Sequence, residues 1–479
     1  MQRVLTVKEM QNADDYTINT LGIPSSELVL RAGTQVAEVI LKRFKGGRVL
    51  VCIGKGNNGK DGEVVASILS KKHGFSVATI NVSNGIFKLF DKKFDIIVDC
   101  IFGTGLNKTV EGKYKDAINK INQSGAFIVS CDIPSGLSGD TGMPLGIAVK
   151  ANLTVAIGEL KLGHVLNDGP DYSGEVIVKD VGISVWEESF RYILDNKDVN
   201  RFFIKRIKNT NKGDYGKTAI IGGSKSFPGS VILSLTALTS LKAGAGYSAL
   251  CVPESIYQVV AGNVPECTMN VLSSDGDGIV FKEEEFSKLL SLDALAIGMG
   301  MGVSEQTYKA VKYLLENYSG KLVIDADGLN SLSKYGVEIL KNKKCEVVLT
   351  PHVKEFSRLV KVEKELILED QITYAKNFAI EYGVTVVLKN AVSVITDGER
   401  VVINTTGSPA MAKGGSGDVL GGFIVGLLGR EQDAFMVASA SCYVFGKAGE
   451  IAVKYSNEYS VVATDLIKCL PSAINCLNK

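Results

Sequence analysis

Residues 411–422, MAKGGSGDVLGG, concentrate the side chains of this chain best suited to chemistry. Gly414, Gly415, Ser416 and Gly417 precede Asp418, and an apolar segment, 419–428, follows. Glycines let neighbouring backbone N–H groups turn together towards one anion. The apolar segment predicts a buried helix, whose N-terminus adds its partial positive charge to those amides. Asp418 stands where that helix begins. It either caps the helix or serves as a base beside a bound phosphate, and spacing alone leaves both readings open.

A second set of oxygen-bearing residues lies in the first half. GKGNNGKDG, residues 54–62, follows an apolar run of strand length and carries Asn57, Asn58 and Asp61 among its glycines. Adjacent amides offer carbonyl oxygens to a cation and N–H groups to a phosphate, while asparagine also tolerates the positive φ of a tight turn. Gly54, Gly56 and Gly59 fit the G-x-G-x-x-G spacing, a weak signal when it stands alone. Two further predicted strands end in polar residues. FDIIVDCIFGTGLNKT ends at Asp99 and continues into Gly103, Thr104 and Gly105, and FIVSCDIPSGLSGDTG ends at Asp132 and turns at Pro134 and Ser135. In a parallel sheet the ligand crevice lies outside the carboxyl ends of the strands, so Asn58, Asp99, Asp132 and Ser135 are predicted to share one edge.

The elements that must position these groups alternate along the chain. Residues 7–44 predict two amphipathic helices around a turn at 22–26. Strands are predicted at 48–53, 76–80, 94–100, 126–132, 153–156 and 175–179, with a helix at 63–69, which is a doubly wound α/β pattern. Residues 183–212 are polar and charged and break the pattern, which places a boundary near Asn196. A second α/β series follows, with strands at 217–222, 248–253, 294–298, 322–325, 347–350, 385–389 and 393–396. With 479 residues and 45% hydrophobic content the chain has ample material for two cores. The net charge of +1 argues against a nucleic-acid surface. Nine cysteines without a CxxC pair, and only three histidines, fit reduced thiols and make a structural zinc site improbable. The first residues lack the apolar core of a signal peptide, and no apolar run has the length of a membrane span. A cytoplasmic protein with small-molecule ligands is expected, without nucleic-acid or membrane partners and as a homo-oligomer.

GNNGKDG, DCIFGTG and DIPSGLSGDTG resemble, in order and spacing, the motifs of the YjeF N-terminal domain, the NAD(P)H-hydrate epimerase. The resemblance covers about residues 1–196. It implies that Asn57, Asn58, Gly59, Lys60 and Asp61, together with Gly103, Thr104, Gly105, Leu106, Asn107, Lys108, Thr109 and Tyr114, hold the hydrated dinucleotide. Asp132 would be the reactive-site carboxylate. A potassium ion would be held by Asn58, Asp99 and Ser135. Lys60 departs from the family, which usually has glycine there.

In the second half, Gly300 and Gly302 lie in a glycine turn after a strand, and Asp325 and Asp327 end another, where they suit either Mg²⁺ or a helix cap. His352 and Lys389 also end strands, the histidine being open to a structural or a ligand role. With GGSGDVLGG these segments resemble the ribokinase-like superfamily, and in particular the ADP/ATP-dependent NAD(P)H-hydrate dehydratases, over residues 197–479. The resemblance implies that Gly300, Gly302, His352 and Asp418 touch the hydrated dinucleotide. Lys389, Asn390, Ala391, Val392 and Ser393 would bind the nucleotide with Gly414, Gly415, Ser416 and Gly417. Asp418 would be the base and Mg²⁺ the metal. GMGMG stands where GPGLG is usual, and Lys354 replaces a common glycine. The expected activity is repair of hydrated NADH and NADPH, by epimerisation of the R and S forms and ADP-dependent dehydration of the S form. The alternative is a vitamin-precursor kinase of the same superfamily carrying an N-terminal binding module.

Overall fold

A computed structural model describes residues 1–85, 92–186, 190–235 and 238–478. The chain forms two compact units, Gln2–Arg191 and Tyr192–Lys479, the latter joined by Met1. Residues 187–189 of the polar stretch lie outside the described residues. Beyond them, Asp195 caps the short helix Asn196–Asn200 within the second unit.

The first unit is built on six parallel strands in the spatial order Phe75–Asn81, Gly47–Ile53, Ile96–Cys100, Phe127–Cys131, Leu153–Ile157 and Glu175–Lys179. Its inner strands read as runs of Val, Ile and Leu because helices cover both faces. The helix Val7–Asn19 begins at a capping box, in which Thr6 accepts from the Glu9 N–H at 3.1 Å and the Glu9 carboxylate accepts from the Thr6 N–H at 2.8 Å. The strand Gly47–Ile53 is flanked by the strand that follows it on one side and by Ile96–Cys100 on the other. That reversal of winding opens a crevice above the carboxyl ends of these two strands, where Asn58 lies at the start of a helix and Asp99 nears the end of its strand.

The structure corrects the reading of residues 57–62 as a loop. They form the first turns of the helix Asn57–Ser70. The glycines serve close packing there. A Cβ on Gly59 would stand 2.1 Å from the Gly54 carbonyl oxygen, and one on Gly62 2.8 Å from the Cys100 Cβ. Glycine and asparagine are poor helix formers, and tertiary approach overrides that preference.

In the second unit seven parallel strands run in the order Thr268–Leu272, Tyr247–Pro253, Lys217–Ile221, Ala294–Ile297, Lys321–Ile324, Glu346–Leu349 and Thr385–Leu388. The antiparallel strands Ser393–Thr396 and Val401–Asn404 extend the sheet. Thr268–Leu272 and Val401–Asn404 were not predicted. The first is an edge strand with largely exposed side chains, and the second has only four residues. The helix Ser416–Leu428 is buried nearly all round and packs on the strands Lys217–Ile221, Ala294–Ile297 and Lys321–Ile324. It therefore delivers its N-terminus to their carboxyl ends.

Candidate active sites

A cavity of about 700 Å³ opens above the carboxyl ends of the first sheet. Of the predicted binding residues, Asn57, Asn58 and Asp61 line it from the helix start, and Gly103, Thr104 and Gly105 from the loop after Ile96–Cys100. Leu106, Asn107, Lys108 and Tyr114 complete that wall. Gly59, Lys60 and Thr109 are not among its lining residues. Lys60 instead donates to the Asn57 side-chain oxygen at 3.1 Å.

Asp132 faces this cavity from a strained turn. Its φ is +65°, and the Ile133 N–H bonds the Cys131 carbonyl at 2.8 Å, making Asp132 the centre of a γ-turn of the rare positive-φ kind. The carboxylate accepts from Lys161 Nζ at 2.5 Å, and Lys161 Nζ also donates to the Ile157 carbonyl at 2.5 Å. Lys161 is only 1% exposed. Burial pushes Asp132 towards its neutral form, but the Lys161 ammonium outweighs burial and holds the carboxyl below its ordinary value. Two further acids share the cavity. Burial, with Asp132 nearby, raises Asp14 to about 6 and Asp61 to about 8.

Sequence reasoning named neither Asp14 nor Lys161. The signal for Lys161 was a lone lysine inside the apolar stretch LTVAIGELKLGHVL, directly after a predicted strand. Asp14 carries no motif and enters only because the helix Val7–Asn19 forms one wall.

Beneath the cavity the structure brings Asn58, Asp99 and Ser135 together. Asp99 is fully buried. It accepts from Ser135 Oγ at 2.6 Å, from the Ser135 N–H at 2.9 Å and from Ser130 Oγ at 2.9 Å. Burial raises its carboxyl despite those bonds, whose donors from Ser130, Ser135 and Ile101 are all neutral. Asn58 donates through Nδ2 to the Phe102 carbonyl at 2.8 Å, while its buried Oδ1 has no hydrogen-bond partner among the described residues. The Phe102 carbonyl also accepts from Ser135 Oγ at 3.2 Å. A cluster of amide, hydroxyl and carbonyl oxygens around one carboxylate suits a large monovalent cation.

The second candidate site forms around Asp418. Gly415, at φ +87°, is the N-cap of its helix, and no side chain caps that end. Asp418 is thus in the first turn without being the cap. Burial, with Asp325 close by and Asp327 adding a smaller push, raises its carboxyl to about 7 against the opposing pull of Lys389 and a bond from Ser230. Lys389 Nζ lies 3.0 Å from Asp325 Oδ1. A Cβ on Gly417 would come within 3.2 Å of that ammonium, so glycine leaves room for it. Ser416 Oγ is buried with no partner among the described residues, and Gly414 faces open space.

Gly300 and Gly302 adopt positive φ in the turn after the strand Ala294–Ile297, and the Asp327 carboxylate accepts from the Gly302 N–H at 2.9 Å. His352 caps the helix Val353–Val360, its Nδ1 accepting from the N–H groups of Lys354 and Glu355 at 3.1 and 3.2 Å. Its other edge is half exposed, and the residue bridges to Lys389 across neighbouring strand ends. Of residues 390–393, Asn390 donates to Gln371 at 3.3 Å, Ala391 is exposed, Val392 is buried and Ser393 begins a strand. Glu355, behind His352, is raised to about 7, chiefly by burial.

All nine cysteines are free thiols. Among the described residues no helix is long and apolar enough to cross a membrane.

Comparison with known proteins covers both units. The family described as NAD(P)H-hydrate dehydratase matches residues 218–472, and the family described as YjeF-related protein N-terminus matches residues 25–88 and 80–163. A protein of Thermofilum pendens named bifunctional NAD(P)H-hydrate repair enzyme is 33% identical, covering 100% of this chain and 97% of its own length. One of the same name from Moorella thermoacetica is also 33% identical, over 99% and 97%. Among solved structures, an ADP/ATP-dependent NAD(P)H-hydrate dehydratase from Bacillus subtilis, co-crystallised with ATP/Mg²⁺, is similar at 25% identity. It has a TM-score of 0.52 and covers 60% of this chain and 98% of its own.

Proposed function

The chain belongs to the bifunctional NAD(P)H-hydrate repair enzymes, and we propose that its two units divide that repair between the two sites described above. Gln2–Arg191 interconverts the R and S epimers of hydrated NADH and NADPH, and Tyr192–Lys479 dehydrates the S epimer at the expense of ADP. The observation that carries this division is that each unit holds its own partly buried carboxylate near a lysine, Asp132 with Lys161 and Asp418 with Lys389.

In the dehydratase site hydroxide is a poor leaving group and must be converted. Asp418 takes the proton of the ring hydroxyl as its oxygen attacks the terminal phosphoryl of ADP, and the P–O bond to AMP breaks. The ring C–O bond then breaks, its oxygen departs with the phosphoryl group as phosphate, and loss of a proton from the adjacent ring carbon restores the double bond. The amides of Gly414, Gly415, Ser416 and Gly417 face the charge that develops on the phosphoryl oxygens, with Lys389 as their cationic partner. Three carboxylates, Asp325, Asp327 and Asp418, act on one another here with Lys389 as the cation among them. That excess of negative charge fits Mg²⁺, which Asp325 and Asp327 would hold and which would neutralise phosphate charge.

In the epimerase site, exchange of configuration at the hydroxyl-bearing carbon requires a proton to be taken up and returned. Asp132, held as an anion, and Lys161 are the groups placed in the cavity to do so. The orphaned oxygen of Asn58 and the buried Asp99 with Ser135 fit K⁺, whose charge would compensate Asp99 and fix the loop at Gly103–Gly105. The test is incubation of mixed epimers with and without ADP, followed by chromatography. Consumption of both epimers with ADP, and their interconversion alone without it, is expected. ADP-independent consumption, or persistence of one epimer, overturns the division.

A further inference from the structure

We propose that His164 is a positioning residue of the epimerase site, holding the two halves of the Asp132–Lys161 pair together through one imidazole. The inference rests on the assignment of Asp132 as the reacting carboxylate. His164 is 1% exposed. Its Nε2 lies 2.8 Å from the Asp132 carbonyl oxygen, and its Nδ1 lies 3.1 Å from the Lys161 amide nitrogen. A carbonyl can only accept and a peptide N–H can only donate, so these partners dictate one tautomer, with the proton on Nε2. Burial, reinforced by the Lys161 charge, pushes the imidazole down to about 4 against the opposing pull of Asp132. The ring therefore stays neutral and in that tautomer through the neutral range.

The geometry shows what the ring holds. At φ +65°, Asp132 occupies a backbone conformation that residues other than glycine adopt uncommonly. Its N–H bonds the Val155 carbonyl at 2.8 Å, and its carboxylate receives Lys161 Nζ at 2.5 Å and the Ile157 N–H at 3.3 Å. The Asp132 carbonyl is bonded by the His164 ring. The same ring takes the amide of Lys161, at the other end of the ion pair. Without it, two backbone groups that fix the direction of the acid and of the ammonium lose their tie. Neither the glycine motifs nor the cavity lining points to this residue, because His164 lies behind the pair.

The experiment uses the full chain with His164→Leu, His164→Gln and Asp132→Asn, measuring kcat and KM for epimer exchange, ADP-dependent dehydration of the S epimer, and thermal melting. For His164→Leu we expect kcat of exchange to fall by about 10²-fold, as for a reacting group displaced by about 1 Å. KM should stay within about twofold, and dehydration should be unchanged. Glutamine can donate through Nε2 and accept through Oε1, so His164→Gln should restore kcat to within about tenfold of the parent chain. A folded Leu variant with the parent kcat overturns the inference. So does a folded Gln variant no better than about a hundredth of the parent kcat. Failure of both variants to fold assigns His164 to the fold alone and likewise overturns it. If Asp132→Asn keeps exchanging epimers, the assignment of Asp132 fails, whatever the His164 variants do.

Discussion

Asp132 and Asp418 each lie near a lysine, and only one of them is the lysine's direct partner. Lys161 bonds Asp132 at 2.5 Å and holds it below the ordinary carboxylate value. Lys389 bonds Asp325 at 3.0 Å instead, so Asp418 meets burial and a second carboxylate, and rises to about 7. One acid is preset as an anion, and the other stands at the edge of ionisation. A nearby ammonium is therefore a poor guide to acidity until its own partner is known. The difference suits the two tasks. Epimer exchange benefits from a fixed charge, while a base that must accept a hydroxyl proton works best with an acidity near the working pH.

The largest effect should come from Asp418→Asn. An amide cannot accept the hydroxyl proton, so ADP-dependent dehydration should fall about 10²–10⁴-fold while epimer exchange continues. Chromatography of S-epimer consumption measures this, and repair within a few-fold of the parent chain removes Asp418 from the mechanism.

Lys161→Met should strand Asp132 without its cation. Breaking such a buried pair costs about 3–5 kcal/mol, visible in urea unfolding of the first unit, and epimer exchange should be lost with it. Lys389→Met strands Asp325 rather than Asp418 and should push Asp418 further up. A pH profile of dehydration left unmoved in Lys389→Met would show that Lys389 does not act on Asp418.

The pH profiles should differ in the parent chain as well. Asp418 works deprotonated, so kcat/KM for dehydration should climb about tenfold per pH unit up to about 7 and then level off. Asp132 is ionised well below that range and contributes no such rise to exchange. A dehydration rate flat from pH 5 to 7 would contradict the raised acidity of Asp418.

The smallest effect separates the sites by metal. Exchange should slow a few-fold when K⁺ is replaced by a much larger organic cation, with Mg²⁺ present throughout. Equal rates in the two buffers would leave Asn58, Asp99 and Ser135 as a purely structural cluster.

Much of this was legible in the sequence. Strand positions followed from apolar runs, and Asp99, Asp132 and Asp418 stood out as carboxylates at strand or helix ends beside glycines. What was hidden depended on packing. The helical start at Asn57 was masked by glycines whose role is to let the helix approach Gly54 and Cys100. The pairing of Lys389 with Asp325 rather than Asp418 joins residues on separate strands, and no local pattern encodes it. His164 and Asp14 carry no motif, and their proximity to Asp132 follows only from the folded chain.

The γ-turn at Asp132 limits which substitutions evolution can sample there. Glycine, asparagine and aspartate adopt positive φ more readily than other residues, and of these three aspartate alone carries a charge. Asparagine preserves the turn and loses the anion. Glutamate preserves the anion and forfeits the conformational tolerance. The usual interchange of the two acidic residues therefore carries a conformational cost at this position that it lacks at an ordinary surface site.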